Sequence, residues 1–197
     1  LLDHCAVRYS ASTGLYLDGV GEKSTSSWNN YTMVSEYTPL VRMKVLDSDF
    51  SFNQNYGVYV TRQGQACDSY LTFQRIAVND NYQDGMYLNA GYSGSVIIED
   101  ESEIRRNQKS GIKTSDMDSS HFVLADSKIT HNLQGGISLR ARGENRGERG
   151  NQARDQVVVI SNNEVAYNQL SESNWNQKAA GMYLQLSGQC LVQDNDI

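Results

Sequence analysis

The chain has 197 residues, of which 39% are hydrophobic and 20% are charged, with a formal net charge of −6 and a sequence pI near 5.0. This acidic balance argues against nucleic acid as the main partner, because phosphate binding needs a broad face of Lys and Arg. The composition fits one folded domain rather than a disordered segment. No apolar run approaches the roughly 18 residues that a bilayer requires, so no membrane span is predicted.

A short unit recurs along the chain and organises the prediction of its fold. The unit has an apolar residue, an Asn three positions later, a Gly four positions after that, and then alternating apolar and polar residues, as in 104–115 and 129–140. The first copy has Ser10 in place of the Asn, and in the sixth an insertion separates Asn168 from Gly181. The Gly of the unit stands at Gly14, Gly57, Gly85, Gly111, Gly136 and Gly181. A repeat period of about 20–50 residues indicates a solenoid.

A second short strand precedes each copy of the unit. These strands show the alternation of half-buried β-strands, and no window has a helical period. We predict them at 43–45, 71–73, 96–98, 122–124, 158–160 and 190–192. The corner that follows carries small or amide side chains, which we expect to hydrogen-bond along the stack. These are Cys5, Ser48, Ser102, Ser127, Asn163 and Asn195, with Ile76 as the exception.

Short strands in a repeating coil predict an all-β parallel β-helix of about six to seven rungs, where a rung is one turn of the chain around the axis. We expect one domain over 1–197, with loop insertions near 19–40, 141–155 and 169–180. Both ends lie inside rungs, and neither shows the polar cap that a solenoid end needs. We therefore expect part of a longer solenoid, with end-to-end or homo-oligomeric packing.

The repeated unit has the signature Asn-x-x-x-Gly followed by alternating aliphatic residues at Asn53, Asn81, Asn107 and Asn132. It resembles the right-handed parallel β-helix repeat proteins of the pectate-lyase-like superfamily, and the resemblance covers nearly the whole chain. It implies a right-handed, single-stranded parallel β-helix. That superfamily contains lyases, hydrolases, epimerases, tailspikes and structural proteins, so the fold does not determine the function.

The outward position of the strand after each Gly forms a line across the predicted sheet. It reads Tyr16, Tyr59, Tyr87, Lys113, Ser138 and Tyr183, and the next outward position reads Asp18, Thr61, Asn89, Ser115, Arg140 and Gln185. Stacked rungs are ~4.8 Å apart, so the tyrosines can stack on one another. One interpretation is a groove for an extended polysaccharide, with sugars lying on the Tyr faces. The other is that Tyr is simply a good strand former.

The resemblance also suggests a chemistry for the break in this line. Enzymes of the superfamily that cleave or epimerise uronates remove the C5 proton with Lys, Arg, His or Tyr and neutralise the carboxylate with cations or Ca²⁺. By this analogy Lys113 is the base, Arg140 clamps the carboxylate, and Tyr87 or His131 is the proton partner. The alternative is that Lys113 and Arg140 are solvated surface charges.

Two short segments are similar to enzymes of this fold. Residues 137–143 (Ile-Ser-Leu-Arg-Ala-Arg-Gly) resemble the Leu-Arg-His-Gly segment of alginate and chondroitin lyases, with Ala141 in place of the His. Residues 56–60 (Tyr-Gly-Val-Tyr-Val) keep only the start of the Asp-Pro-His motif of mannuronan C5-epimerases. The resemblance therefore implies a uronate lyase or a C5-epimerase if the protein is catalytic.

The insertion after Arg140 is rich in Arg. Residues 140–155 contain five Arg, including Arg142, against three acidic residues. Arg pairs with carboxylate or sulfate through two hydrogen bonds, so this loop can close over an anionic polymer. The alternative is an inert surface loop whose charges pair internally.

No metal site is predicted, because the three His and three Cys lack the spacing of a metal-binding motif. Corner carboxylates at Asp47, Asp49, Asp100 and Asp126 are possible Ca²⁺ ligands, but no cofactor is required. The leading functional hypothesis is an extracellular or cell-surface protein that recognises an extended acidic polysaccharide. The alternative is a non-catalytic structural, adhesin, fibre or tailspike-type module.

Overall fold

The computed structural model describes residues 1–20, 41–63, 69–89, 94–115, 121–140, 156–169, 181–186 and 188–197. These residues form fifteen strands and no helix, and every strand pairing is parallel. The described part of the chain consequently contains no helix of the length and apolarity that a membrane span needs.

The first sheet has seven strands, which lie side by side in the order in which the chain reaches them. They are β1 (Leu2–Asp3), β3 (Val41–Leu46), β5 (Ser69–Gln74), β7 (Ser95–Glu99), β10 (His121–Ala125), β13 (Val157–Ser161) and β15 (Gln189–Gln193). All six predicted strands that precede the repeated units fall within this sheet. Its inner side chains are apolar and buried, as Val45, Phe73 and Ile98 are in three successive rungs.

The second sheet is short and the third is long. The second pairs β8 (Glu103–Arg105) with β11 (Lys128–Thr130), and single bridges at Ala6, Asp49, Ala77, Glu164 and Asp196 continue it. The third contains β2 (Leu15–Val20), β4 (Val58–Gln63), β6 (Met86–Leu88), β9 (Ile112–Thr114), β12 (Ile137–Arg140) and β14 (Met182–Gln185). Each rung visits the three sheets in turn, so the predicted parallel β-helix is confirmed.

A column of asparagines explains why the repeated unit contains Asn. The side-chain amide of each donates to the side-chain carbonyl of the Asn in the next rung at 3.0 Å. The column runs through Asn53, Asn81, Asn107, Asn132 and Asn168. Because the backbone N–H of each Asn donates to the same carbonyl, the column satisfies buried polar groups at every turn.

The same column explains the Gly of the unit. A Cβ atom on Gly111 would lie 2.7 Å from Nδ2 of Asn132 and 2.8 Å from the carbonyl oxygen of Gly136. A residue with a Cβ atom therefore does not fit at this position, because the Asn side chain and the backbone of the neighbouring rung are too close. The apolar residue of the unit fills the core beside it, as Phe50, Ile104 and Ile129 do.

The corners after the first sheet hydrogen-bond along the stack, as predicted. The backbone N–H of Cys5 donates to Oγ of Ser48, and that of Ser127 donates to Oδ1 of Asn163. Asn163 in turn donates to Asn195. Lateral hydrogen bonds of this kind hold consecutive rungs in register.

The predicted loop insertions fall mainly outside the described residues, which is where 21–40, 141–155 and 170–180 lie. The boundary predicted near residue 19 is too early, because β2 continues to Val20 and stays paired with β4. Backbone pairing with the neighbouring rung extends this strand beyond its apolar pattern.

Candidate functional site

The outer face of the third sheet carries the line of side chains that the repeat predicts. Tyr16, Tyr59, Tyr87, Lys113, Ser138 and Tyr183 are register partners in consecutive strands, in that order. The apolar residues that alternate with them point inward, and Val58, Met86 and Ile112 are completely buried. The repeated Gly thus sets both the register of the strands and the composition of this surface.

Tyr16, Tyr59 and Tyr87 form a stack, which we call the tyrosine column. The Tyr16 and Tyr59 ring centroids are 5.5 Å apart with planes 10° apart, and those of Tyr59 and Tyr87 are 5.1 Å apart with planes 16° apart. Both faces of Tyr59 are therefore covered by rings. A sugar therefore has no open face of Tyr59 to lie on, and this residue offers its ring edge and hydroxyl instead.

Tyr56 is part of this site, although the sequence analysis assigned it no role. Its ring lies 4.7 Å from that of Tyr59 and 5.9 Å from that of Tyr87, tilted against both. Burial is the main cause that raises the pKa of Tyr56, and the negative charge of Asp84 adds to it. Tyr56 directly precedes one of the repeated glycines, Gly57. Its position in the repeat is the sequence feature that could have identified it as part of the site.

Asp84 occupies the same position one rung further on and was also missed. Its side chain is only 2% exposed, and Oδ1 accepts a hydrogen bond from the backbone N–H of Ser110 at 2.9 Å. Burial raises the pKa of Asp84, while the positive charge of Lys113 acts in the opposite direction. A buried carboxyl therefore interacts electrostatically with both Tyr56 and the predicted base, Lys113.

Arg140 ends β12 two residues beyond Ser138. Its backbone N–H donates to Oγ1 of Thr114 at 3.0 Å, and its guanidinium carbon lies 5.9 Å from the ring centroid of Tyr183. Lys113 is the register partner of Ser138 on the other side. The structure thus brings Lys113 and Arg140 to neighbouring strands of one face.

His131 is not part of this group. It lies at the turn after β11 with a φ of 60°, and its exposed ring stacks on Tyr167 at 5.0 Å. The described structure shows no contact of His131 with Lys113 or Arg140, so its predicted role as proton partner has no support in the geometry. The other predicted partner, Tyr87, donates its hydroxyl proton to Oγ of Ser115 at 2.9 Å.

Two further contacts were predicted, Asn89 and Arg142. Asn89 follows β6 and is half-buried, and its backbone N–H donates to the carbonyl of Val60 at 3.1 Å. Arg142 lies outside the described residues. Asn89 therefore flanks the tyrosine column.

Three of the four corner carboxylates that were considered as Ca²⁺ ligands, Asp47, Asp49 and Asp100, take part in ion pairs. Ligand atoms of Asp3, His4 and Asp47 lie within 4.8 Å of one another. Arg75 donates to both oxygens of Asp47, at 2.6 and 2.8 Å, and this is the main cause that lowers the pKa of Asp47. Asp49 is likewise paired, with Arg8. A cation would have to displace these arginines.

A family model described as a right-handed beta helix region matches residues 1–197. No significant match was found among curated proteins or among solved structures. The match therefore identifies the architecture over the whole chain, and the chemistry has to be inferred from the outer face itself.

Proposed function

Because this chain belongs to the right-handed β-helix family, we propose that its third sheet recognises an extended acidic polysaccharide at the cell surface or outside the cell. The observation that carries the proposal is the outer line of the third sheet, where three stacked tyrosines lead to Lys113. A straight surface of parallel strands suits an extended polymer better than a compact ligand, because equivalent positions recur at a spacing of ~4.8 Å.

The tyrosine column supports the polymer part of the proposal. Tyr16 is 55% exposed, and Tyr59 and Tyr87 are half-buried with their faces stacked. Phenol hydroxyls donate and accept hydrogen bonds with sugar hydroxyls. The loss of side-chain conformational entropy on binding is also small, because the stacked rings already hold each other in place.

The two cations support the acidic part of the proposal. Within the described residues, neither Lys113 nor Arg140 makes a salt bridge, whereas arginines elsewhere on the solenoid are paired with Asp or Glu. Both lie on the same face as the tyrosines. An anionic polymer on this face can therefore pair with two cations that make no salt bridge within the described residues.

The test is a binding titration of the protein with neutral and acidic polysaccharides. We expect binding to acidic polymers, with Tyr59→Ala and Tyr87→Ala each weakening it about five- to tenfold. The matched control is Tyr167→Ala, since Tyr167 is 73% exposed at the turn where it stacks on His131. Unchanged affinity in the Tyr59 and Tyr87 variants would remove the basis of the proposal.

Lys113 and Arg140 also support a catalytic form of the proposal, as a uronate lyase or C5-epimerase. A lyase generates an unsaturated product that absorbs in the ultraviolet, and an epimerase changes the polymer's NMR spectrum. Alginate, pectate and glycosaminoglycans, with and without Ca²⁺, are the substrates to test. Product formed by the native chain and lost in Lys113→Met would establish catalysis, and no product from any polymer would leave recognition alone.

A second candidate function is a non-catalytic rod, such as an adhesin, fibre or tailspike segment. The specific observation in its favour is that the tyrosine rings satisfy one another by stacking. On this hypothesis, Tyr59→Ala lowers thermal stability and leaves glycan binding unchanged. The same variant thus separates the two functions.

A further inference from the structure

One small residue interrupts the outer line of the third sheet. Ser138 lies between Lys113 on β9 and Tyr183 on β14, and Arg140 follows it two positions later on the same face. We infer that Lys113, Ser138 and Arg140 form an oxyanion-binding notch, which takes one carboxylate or sulfate group of the polymer. The inference rests on the proposed function and identifies the residues that bind the acidic group of the polymer.

The hydroxyl of Ser138 is the first observation. Ser138 is 6% exposed, and its Oγ is buried without a hydrogen-bond partner. It alternates with the buried residues Ile137 and Leu139, so its side chain is directed to the outer face and not into the core. A buried hydroxyl without a partner is unfavourable, and an acceptor brought next to it would relieve that cost.

The guanidinium of Arg140 is an independent second observation. Its Nε is also buried and has no hydrogen-bond partner. Its guanidinium carbon lies 5.9 Å from the ring centroid of Tyr183, the register partner of Ser138 on β14, so the guanidinium lies on the outer face beside this part of the line. Thr114 holds the Arg140 backbone from the neighbouring strand. Nε of Arg140 is thus held in position by the fold but has no hydrogen-bond acceptor within the described residues.

Lys113 completes the notch from the opposite side. Asp84 interacts with Lys113 electrostatically, but it accepts its hydrogen bond from Ser110 and forms no salt bridge with Lys113 in the described structure. An ammonium, a hydroxyl and a guanidinium can together donate to all oxygens of a carboxylate or a sulfate. A neutral sugar hydroxyl offers no such charge, so the notch selects acidic residues of the polymer.

The test uses the full chain and two small probes, sodium sulfate and sodium galacturonate, at constant ionic strength. We expect saturable shifts of the Ser138 and Arg140 amide NMR signals. Ser138→Ala and Arg140→Gln should each weaken probe binding about tenfold. Arg140→Lys should weaken it less, because lysine keeps the positive charge but lacks the two parallel N–H donors of the guanidinium. Arg105→Gln is the matched control, because Nε of Arg105 is also buried without a partner but its side chain pairs with Glu103 on the second sheet.

The probes also identify the source of the anion. Shifts with both probes would define a general oxyanion site. Shifts with sulfate alone would define a site for sulfate esters, and shifts with galacturonate alone would define a site for uronates. The inference is overturned if no saturable shift occurs at Ser138 and Arg140, or if Arg105→Gln weakens binding equally. Tyr59→Ala should leave these shifts intact, so failure of the polymer proposal and failure of the notch give different results.

Discussion

The ring of Tyr59 lies parallel to that of Tyr87, with centroids 5.1 Å apart and planes 16° apart. Because Tyr16 covers the other face of Tyr59, Tyr59 presents its hydroxyl and ring edge, and not a ring face, to a ligand. The hydroxyl of Tyr87 is already oriented by Ser115 at 2.9 Å.

Replacing Tyr59 and Tyr87 by Phe separates the contribution of the hydroxyls to ligand binding from that of the rings. Both variants keep the stack, so we expect unchanged thermal stability for Tyr59→Phe and a small loss for Tyr87→Phe, which also removes the hydrogen bond to Ser115. Each should lose about threefold to tenfold in affinity for an acidic polysaccharide, because one hydrogen bond is removed. Isothermal titration calorimetry measures the loss, with Phe at Tyr82 as the control. Equal affinity of the variants and the native protein would mean that the ring edges alone make the contact.

The asparagine column predicts a large effect of a single buried amide. Asn107 donates to Asn132 at 3.0 Å and to the carbonyl of Val78 at 2.9 Å, and it accepts from Asn81. Asn107→Ala breaks these bonds and leaves buried partners unsatisfied, so we expect a loss of about 2–4 kcal/mol in the free energy of unfolding. Gln108→Ala, on the neighbouring exposed side chain, should change it little. Urea denaturation measures both, and similar losses in the two variants would contradict a specific role for the column.

Asp84 predicts a dependence of stability on pH. Burial raises its pKa in the folded state. The folded protein therefore binds this proton more tightly than the unfolded chain, and its stability falls as pH rises from the unfolded-state pKa to the folded-state pKa. Asp84→Asn keeps an oxygen for Ser110 but cannot ionise, so it should gain stability relative to the native protein across this range.

The measurement is chemical denaturation of the two proteins at acidic and at neutral pH. The stability difference between Asp84→Asn and the native protein should increase with pH. A difference that stays constant with pH would show that the carboxyl of Asp84 titrates as it does in the unfolded chain.

The corner ion pairs predict that divalent cations do not contribute to folding. Arg75 occupies both oxygens of Asp47, so we expect EDTA to leave the melting temperature unchanged. In Arg75→Gln the carboxylate is released beside Asp3 and His4, and a response to added Ca²⁺ or Zn²⁺ should appear only in that variant. Loss of stability in EDTA, restored by Ca²⁺, would instead establish a metal site in the native protein.

The outer line illustrates how far a repeat can be interpreted. Aligning the repeated glycines is equivalent to aligning the strands, so the register from Tyr16 through Lys113 to Tyr183 was predictable residue by residue. The predicted inward residues followed for the same reason. His131 was named as a proton partner by analogy and not from the repeat, and it lies at a turn with positive φ, where its ring stacks on Tyr167.

The sequence by itself determined the architecture of this protein, because in a parallel solenoid each strand pairs with its equivalent one repeat away and the repeat length contains that information. It also determined which side chains line the outer face. Only the tertiary structure decided that both faces of Tyr59 are covered, that the buried Asp84 interacts with Lys113, and that Ser138 and Arg140 have buried donors without partners. These properties depend on side-chain rotamers and on burial by neighbouring rungs, which a linear pattern does not contain.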